Sequence, residues 1–431
     1  MKILYISNNG LANNLARVLL NEGNDVKLFI EDKNLWNVFD NIVPKTNDWK
    51  KELEWVGTEG LIVFDDNGYG KIQEKLRSQG YSVFGGCEGA DKLEYDREFT
   101  YEVFKKYNIK TNAAKTFKSI NQAIKFIEKN PDIYTIKREG SNSKFVTFVG
   151  EREDGNDVIE ILRNYSKNSK LKDEPISLQI KTKGIEIGVG RYFNGNDWVG
   201  PIEINLEHPH LFAGNIGPFT EEMGTLAWYT DSESKIYTET LKKLKPFLQE
   251  INYRGDIGIN CIVNKEGIFA IETTARIGSP IIHIHSELHI SPWSDFLKSI
   301  ADGKTYNLKW RNKYAVVFSI AVPPFPFHKH FDTDVCSGLT IYMDNITEEE
   351  MHHIHLDEVA YDNKKNKYYV SEQSNGFILY VTGSSKTVAQ ARLKALKIIE
   401  KIHVPKMFYR VDIGENFIKT EREQLIEWGY L

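Results

Sequence analysis

Over its first quarter the chain alternates short apolar runs with helix-spaced stretches. The runs at 2–7 (KILYIS), 25–30 (DVKLFI), 60–65 (GLIVFD) and 81–84 (YSVF) are rich in β-branched and aromatic residues. Between them, 11–20 and 70–78 read as helices. Such alternation predicts a parallel sheet. Residues 92–107 place Leu93, Phe99, Val103, Phe104 and Tyr107 near helical spacing, which predicts one connecting helix. A helix over 119–128 follows, opened by Ser119 as its cap, then a strand in IYTIKREG (133–140) and a strand pair around KFVTFVG (144–150). Further strands are predicted at 186–193, 257–263 and in IFAIETTAR (268–276). A helical stretch bearing Tyr237, Leu241, Leu244, Leu248 and Ile251 should be broken in two by Pro246. The last third predicts strands AVVFSIAV (315–322) and GFILYVTG (376–383), then a helix over 387–403 with Val388, Ala391, Ala395, Ile399 and Ile402 on one face.

Length and composition narrow the class. A chain of 431 residues exceeds one hydrophobic core and implies about three domains. No apolar run approaches the roughly 20 residues of a membrane span, and the opening MKILYIS reads as a buried strand rather than a leader, so no membrane role and a cytoplasmic location are expected. Cys87, Cys261 and Cys336 lie far apart with no CxxC spacing, which argues for buried thiols rather than disulfides or a zinc site. A net charge of −5 supplies no basic field, so nucleic acid is not an expected partner. The turn Ser7-Asn8-Asn9-Gly10 leads straight into a helix and could present N–H groups to an anion, or be an ordinary strand-to-helix turn.

Two pairs of residues suggest chemistry. Lys137 and Lys144 flank the small-residue loop 140–143 and could cradle phosphates beneath a closing hairpin. Glu272 and Arg276 could hold a metal and a phosphoryl oxygen. Each pair also has a plainer reading, as a solvated turn and a structural ion pair respectively. His283, His285 and His289 invite a metal reading, but no carboxylate motif accompanies them, so packing or substrate contact is the expectation. His208 and His210 are expected at a pocket edge.

Ordered motifs along the whole chain supply a family pattern. Gly217-Pro218-Phe219-Thr220-Glu221-Glu222-Met223-Gly224 is similar to GPNTGGMG, Tyr253-Arg254-Gly255 to YRG, and Glu272 through Pro280 to EFNARFGDP. Val381-Thr382-Gly383, Thr387-Val388-Ala389 and Tyr409-Arg410-Val411-Asp412-Ile413-Gly414 complete the set. These are motifs of phosphoribosylamine–glycine ligases, which the chain resembles. The resemblance implies an ATP-grasp fold of mixed α/β and α+β class. Its expected parts are an N-terminal α/β domain (1–110), an ATP-grasp domain (111–312, with a small lid over about 115–183) and a C-terminal α+β domain (313–431). It implies ATP with Mg²⁺ (or Mn²⁺), and a small-molecule carboxylate and amine joined through an acyl phosphate by a monomer or homodimer. By motif position, Lys137 and Lys144 would bind the nucleotide, Glu186 of Gly184-Ile185-Glu186 the ribose, and Glu272, Thr274 and Asn260 the metal. Arg276, with Lys144, would act on the transferred phosphate, and Asn9, Gly10, Asn215, Gly217, Pro218 and Ser279 would line the substrate sites.

Departures cluster at those substrate sites. The family's first loop, GNGGREHA, is here Ser7 through Asn14, with Leu11, Ala12 and Asn13 in place of Arg-Glu-His. Glu221 and Glu222 replace two glycines, Ser279-Pro280-Ile281 replaces DPE, and Thr274 replaces a metal-binding Asn. The expectation is a carboxylate–amine ligase with a changed substrate. Its alternatives are a nucleotide-binding regulatory protein or pseudo-enzyme on the same scaffold, and the unaltered purine-pathway ligase.

Overall fold

The computed structural model describes residues 1–112, 114–137, 148–167, 175–327, 335–372 and 374–431. They form two compact units. The first comprises Met1–Asp91, Ile187–Ile259 and Thr273–Leu431; the second comprises Lys92–Glu186 and Asn260–Glu272.

In the first unit Asp25–Ile30, Lys2–Ser7, Leu61–Phe64 and Val83–Phe84 lie side by side in that order as a parallel sheet. Every residue from Ile3 to Ser7 is buried, as in a strand covered on both faces. Leu4, Ile6, Ile62 and Phe64 pack with Trp49, Val56 and Leu76. The helices Asn13–Asn21 and Gly70–Ser78 follow the first and third runs closely, so residues 7–12 and 65–69 lie at the carboxyl ends of neighbouring strands. That is where open parallel sheets bind ligands.

An eight-stranded sheet has the order Gly267–Thr274, Arg254–Asn264, Ile185–Asn194, Trp198–Glu207, Gly224–Thr230, Tyr314–Ala321, Phe377–Ser385 and Ile354–Leu356. The helix Ile281–Leu288 buries Ile284 and Leu288 in a core with Ala227, Tyr229, Val317 and Tyr380. The helix expected over 387–403 is capped by Thr387 and stops at Ile399. Ile402–His403 pairs with Tyr342–Met343 instead.

The second unit has its own core. Ala114–Phe117, Ile176–Ile180, Tyr134–Lys137 and Phe148–Val149 form an antiparallel sheet in that order. The helices Ile120–Lys129 and Asn156–Ser166 contribute Ile120, Ile124, Ile127, Val158 and Leu162 to its core. Ser119 caps the first of them, its Oγ accepting from Gln122 N–H at 3.4 Å.

Two helical expectations are corrected. The stretch 92–107 is two helices, Glu88–Tyr95 and Arg97–Lys106, because extended Asp96 accepts from Phe99 N–H at 3.0 Å and starts a second helix. Pro246 lies in the first turn of Lys245–Glu250, where its missing N–H is not needed, so the break falls before it. Ahead of that helix the chain makes the short helix Lys235–Glu239 and the 3₁₀ turn Leu241–Leu244.

Candidate functional site

The second unit holds most of the residues expected on the nucleotide side. Lys137 ends the strand Tyr134–Lys137; its side chain, the loop 140–143 and the whole of Lys144 lie outside the described residues. Asn260 on Arg254–Asn264 is buried, and its Nδ2 donates to Oε1 of the exposed Glu272 at 3.4 Å. Glu186 is half-buried at the start of Ile185–Asn194. It lies within electrostatic reach of Cys261, whose thiol is pushed up by burial and then by that carboxylate. A carboxylate and an amide oxygen are hard donors that fit Mg²⁺ when a nucleotide completes the shell. Among the described residues no three His, Cys, Asp or Glu are placed to hold a metal unaided.

Thr274 ends the strand that carries Glu272, and Arg276 follows it in the first unit. The Arg276 Nε lies 3.4 Å from Asp66 Oδ1, and its Nη1 donates to Ile277 C=O at 3.2 Å.

Three N–H groups of the turn after the first strand are taken up within the protein. Gly10 N–H donates to Ser7 Oγ at 2.8 Å, Leu11 N–H to Asn9 Oδ1 at 3.1 Å, and Ala12 N–H to Asp65 Oδ2 at 3.1 Å. Three donors that could meet a phosphate are thus met by the protein's own oxygens, one of them of the Asp65 carboxyl. Gly10 turns the chain at φ 87°, where a side chain is strained, and a Cβ there would meet Asn13 Nδ2 at 2.9 Å.

Around this turn the first unit gathers carboxylates. Burial, and then neighbouring Asp66, raise the Asp65 carboxyl to about 7. Asp357 is raised well above the usual carboxylate range by burial first and then by Glu358, with Glu221 and Asp65 adding to it. Tyr380 hydrogen-bonds both Asp357 and Ser279. Asn13 and Asn67 are each 1% exposed, and both polar atoms of each side chain are buried without a hydrogen-bond partner, as is Asp65 Oδ1. Buried polar atoms are rarely left unpaired. The sequence reading missed Asp65, Asp66 and Asp357. For the first two a signal existed: an acid pair directly after the apolar run LIVF, at the end of a parallel strand.

The C-terminal motif seats a hairpin. Buried Arg410 grips Asp412 with two bonds of 2.8 Å, donates to His210 C=O at 2.9 Å, and donates to Asn215 Oδ1 at 2.9 Å. Asp412 in turn accepts from Gly214 N–H at 2.8 Å. These contacts hold the hairpin of His210–Phe212 and Ile216–Phe219, which carries Asn215, Gly217 and Pro218. His208 packs beneath it, accepting from Gly414 N–H at 3.1 Å, and burial lowers its imidazole to about 4. Glu222 turns inward and accepts from His208 N–H at 2.5 Å and Gly224 N–H at 3.2 Å, so it supports the backbone; Glu221 remains exposed.

The three downstream histidines are core residues. Burial opposes charge on His285, but Glu203 Oε2 at 2.5 Å from Nε2 outweighs it and raises the imidazole. Tyr192 bonds its other nitrogen at 2.8 Å, and Tyr229 bonds His289 Nε2 at 2.8 Å. His283 stacks on His355 with ring centres 4.7 Å apart.

Residues 95–281 match the family model described as phosphoribosylglycinamide synthetase, ATP-grasp (A) domain. That segment of the chain is similar to the ATP-grasp domain of that family. Phosphoribosylamine–glycine ligase of Clostridium acetobutylicum is 24% identical over 379 residues, 85% of this chain and 85% of the relative. The structure of phosphoribosylamine–glycine ligase from Thermotoga maritima aligns with a TM-score of 0.70 at 19% identity, covering 96% of this chain and all of that one. The biotin carboxylase domain of Hydrogenobacter thermophilus 2-oxoglutarate carboxylase, solved with MgADP, aligns at 0.64 and 12% identity over 99% of this chain and 97% of that one. These structural likenesses show the ATP-grasp fold, and the resemblance read from the motifs is borne out.

Proposed function

We propose that the protein is an ATP-dependent, ADP-forming carboxylate–amine ligase whose amine is not phosphoribosylamine. The observation that carries the reading is the Asn260–Glu272 pair, an oxygen-donor set for a metal–nucleotide complex inside the segment that matches the ATP-grasp domain. Lys137 and Lys144 neutralise the triphosphate, Glu186 takes the ribose hydroxyls, and Glu272, Asn260 and Thr274 hold Mg²⁺. Bound there, Mg²⁺ neutralises charge on the phosphate oxygens. A substrate carboxylate oxygen attacks the γ-phosphorus, the P–O bond to ADP breaks, and ADP leaves with the electron pair. Arg276 stabilises charge on the transferred phosphoryl oxygens. The amine lone pair then attacks the acyl carbon. The C–N bond forms as the C–O bond to phosphate breaks, phosphate departs, and the nitrogen sheds a proton. Asn9, Gly10, Asn215, Gly217, Pro218 and Ser279 line the substrate sites.

The changed amine is supported by residues 11–13, which place no cation at the first turn, and by Asp65, which takes that turn's Ala12 N–H. A second reading, a nucleotide-binding regulatory protein, is favoured by Thr274, a weaker metal ligand than the Asn it replaces. Trapping with hydroxylamine separates the two. Formation of an ATP-dependent hydroxamate with some carboxylate supports the ligase, and ATP binding without hydroxamate from any carboxylate favours the regulator. Steady-state kinetics with glycine and phosphoribosylamine tests the changed amine: a kcat/KM of about 10⁴ M⁻¹s⁻¹ or more would restore the purine-pathway assignment.

A further inference from the structure

We infer that the amine accepted by the first unit is an unphosphorylated, cationic one that presents hydroxyl or further amino groups to Asp65, Asp66, Asn13 and Asn67. This rests on the ligase reading and specifies its acceptor.

The first turn has already committed three of its donors. A phosphate at the carboxyl end of a parallel strand is normally met by N–H groups of the turn that opens the next helix. Here the Ala12 N–H is committed to the Asp65 carboxylate, and those of Gly10 and Leu11 to Ser7 and Asn9. An entering phosphate would have to displace a fixed carboxylate.

Asp65 has Asp66 beside it, and Asp357 lies within electrostatic reach of both Asp65 and Glu221. The guanidinium of Arg276 lies against Asp66. Near neutral pH Asp357 keeps its proton and Asp65 is only part-ionised, so a ligand bearing two negative charges adds to the repulsion that already raises them, whereas an ammonium favours their ionised forms.

Asn13 and Asn67 are almost wholly buried, with amide N and O both lacking partners, and Asp65 Oδ1 lacks one too. Each amide can donate and accept, which suits hydroxyl and amino groups and gives a lone metal ion little it needs. Nor are these carboxylates spaced as a metal site, since among the described residues no trio of ligands is.

The test compares each amine with its phosphate ester on the intact protein: ethanolamine against phosphoethanolamine, and glucosamine against glucosamine 6-phosphate. Calorimetric binding needs no turnover, so it remains decisive even if the hydroxylamine experiment denies the ligase reading. The free amine should bind at least about tenfold tighter than its ester, with or without EDTA. In an Asp66→Asn, Glu221→Gln double variant that ratio should shrink severalfold. Asp66→Asn alone, which keeps size and shape, serves if the double variant fails to fold. Equal or tighter binding of the ester, no binding of either amine, an unchanged ratio in the variant, or binding abolished by EDTA would each overturn the inference. Hydroxamate formation without acceptance of any free amine would also count against it while leaving the ligase reading intact.

Discussion

Asp65 holds its proton more tightly in the folded protein than in the unfolded chain, and that difference makes stability depend on pH. Its folded carboxyl titrates near 7 against an ordinary 3.8. A carboxyl raised on folding costs nothing below about pH 4, where both states are protonated, and stability is lost as pH rises from there towards 7. The full loss is on the order of 4 kcal/mol. An Asp65→Asn variant keeps an acceptor for the Ala12 N–H without the charge. It should therefore gain on the native protein as pH rises from 5 to 8, as followed by urea unfolding; a gap independent of pH would disprove this account. A sharper functional effect is expected at Glu272, the one carboxylate in the proposed metal pair. Glu272→Ala should lower ATP-dependent turnover by at least about a hundredfold, measured as ADP release in Mg²⁺. Unchanged turnover would remove Glu272 from the metal.

At the scale of elements, the hairpin bearing Asn215, Gly217 and Pro218 depends on Arg410. Replacing Arg410 with Met strips a buried partner from Asp412, whose carboxyl burial would raise and Arg410 holds low. Loss of one member of such a pair costs about 3–5 kcal/mol. Chemical denaturation should show that loss, with substrate KM rising more than the affinity for ATP. Most elements could be read in the sequence because their periodicity reports burial directly. The runs at 2–7 and 25–30 and the Gly70–Ser78 helix fall where their side chains predict. The break at Asp96 was missed because one cap overrides an apolar spacing that continues across it. The motif residues point to a nucleotide side by their resemblance alone; the carboxylates gathered around the first turn are not announced by any of those motifs. Asp357 and Asp65 are 292 positions apart in the chain, and only the fold brings their charges within reach of one another. Likewise the inward turn of Glu222 depends on the backbone of His208 and Gly224, which no local pattern announces.

For the whole molecule, Lys137, Glu186, Asn260 and Glu272, proposed to bind the nucleotide and its metal, all fall in the unit with the Phe117–Leu178 core. A ligand that binds only the folded state stabilises it by about 2.7 kcal/mol at a hundredfold excess over Kd. ATP with Mg²⁺ should therefore raise a calorimetric transition of that unit by several degrees, and Glu272→Ala should abolish most of the rise. No shift in the native protein would deny nucleotide binding there. The hairpin's latch has a consequence for biosynthesis. Asn215 receives its bond from Arg410, which is added 195 residues later. At about 5–20 residues per second, a ribosome takes roughly 10–40 s to cover that distance. Throughout that interval the nascent hairpin lacks the residue that seats it, although every residue of the nucleotide-side set emerges well before Arg410. A half-made chain would thus hold the residues proposed to bind ATP before it has the latch that seats the hairpin proposed to line the substrate site.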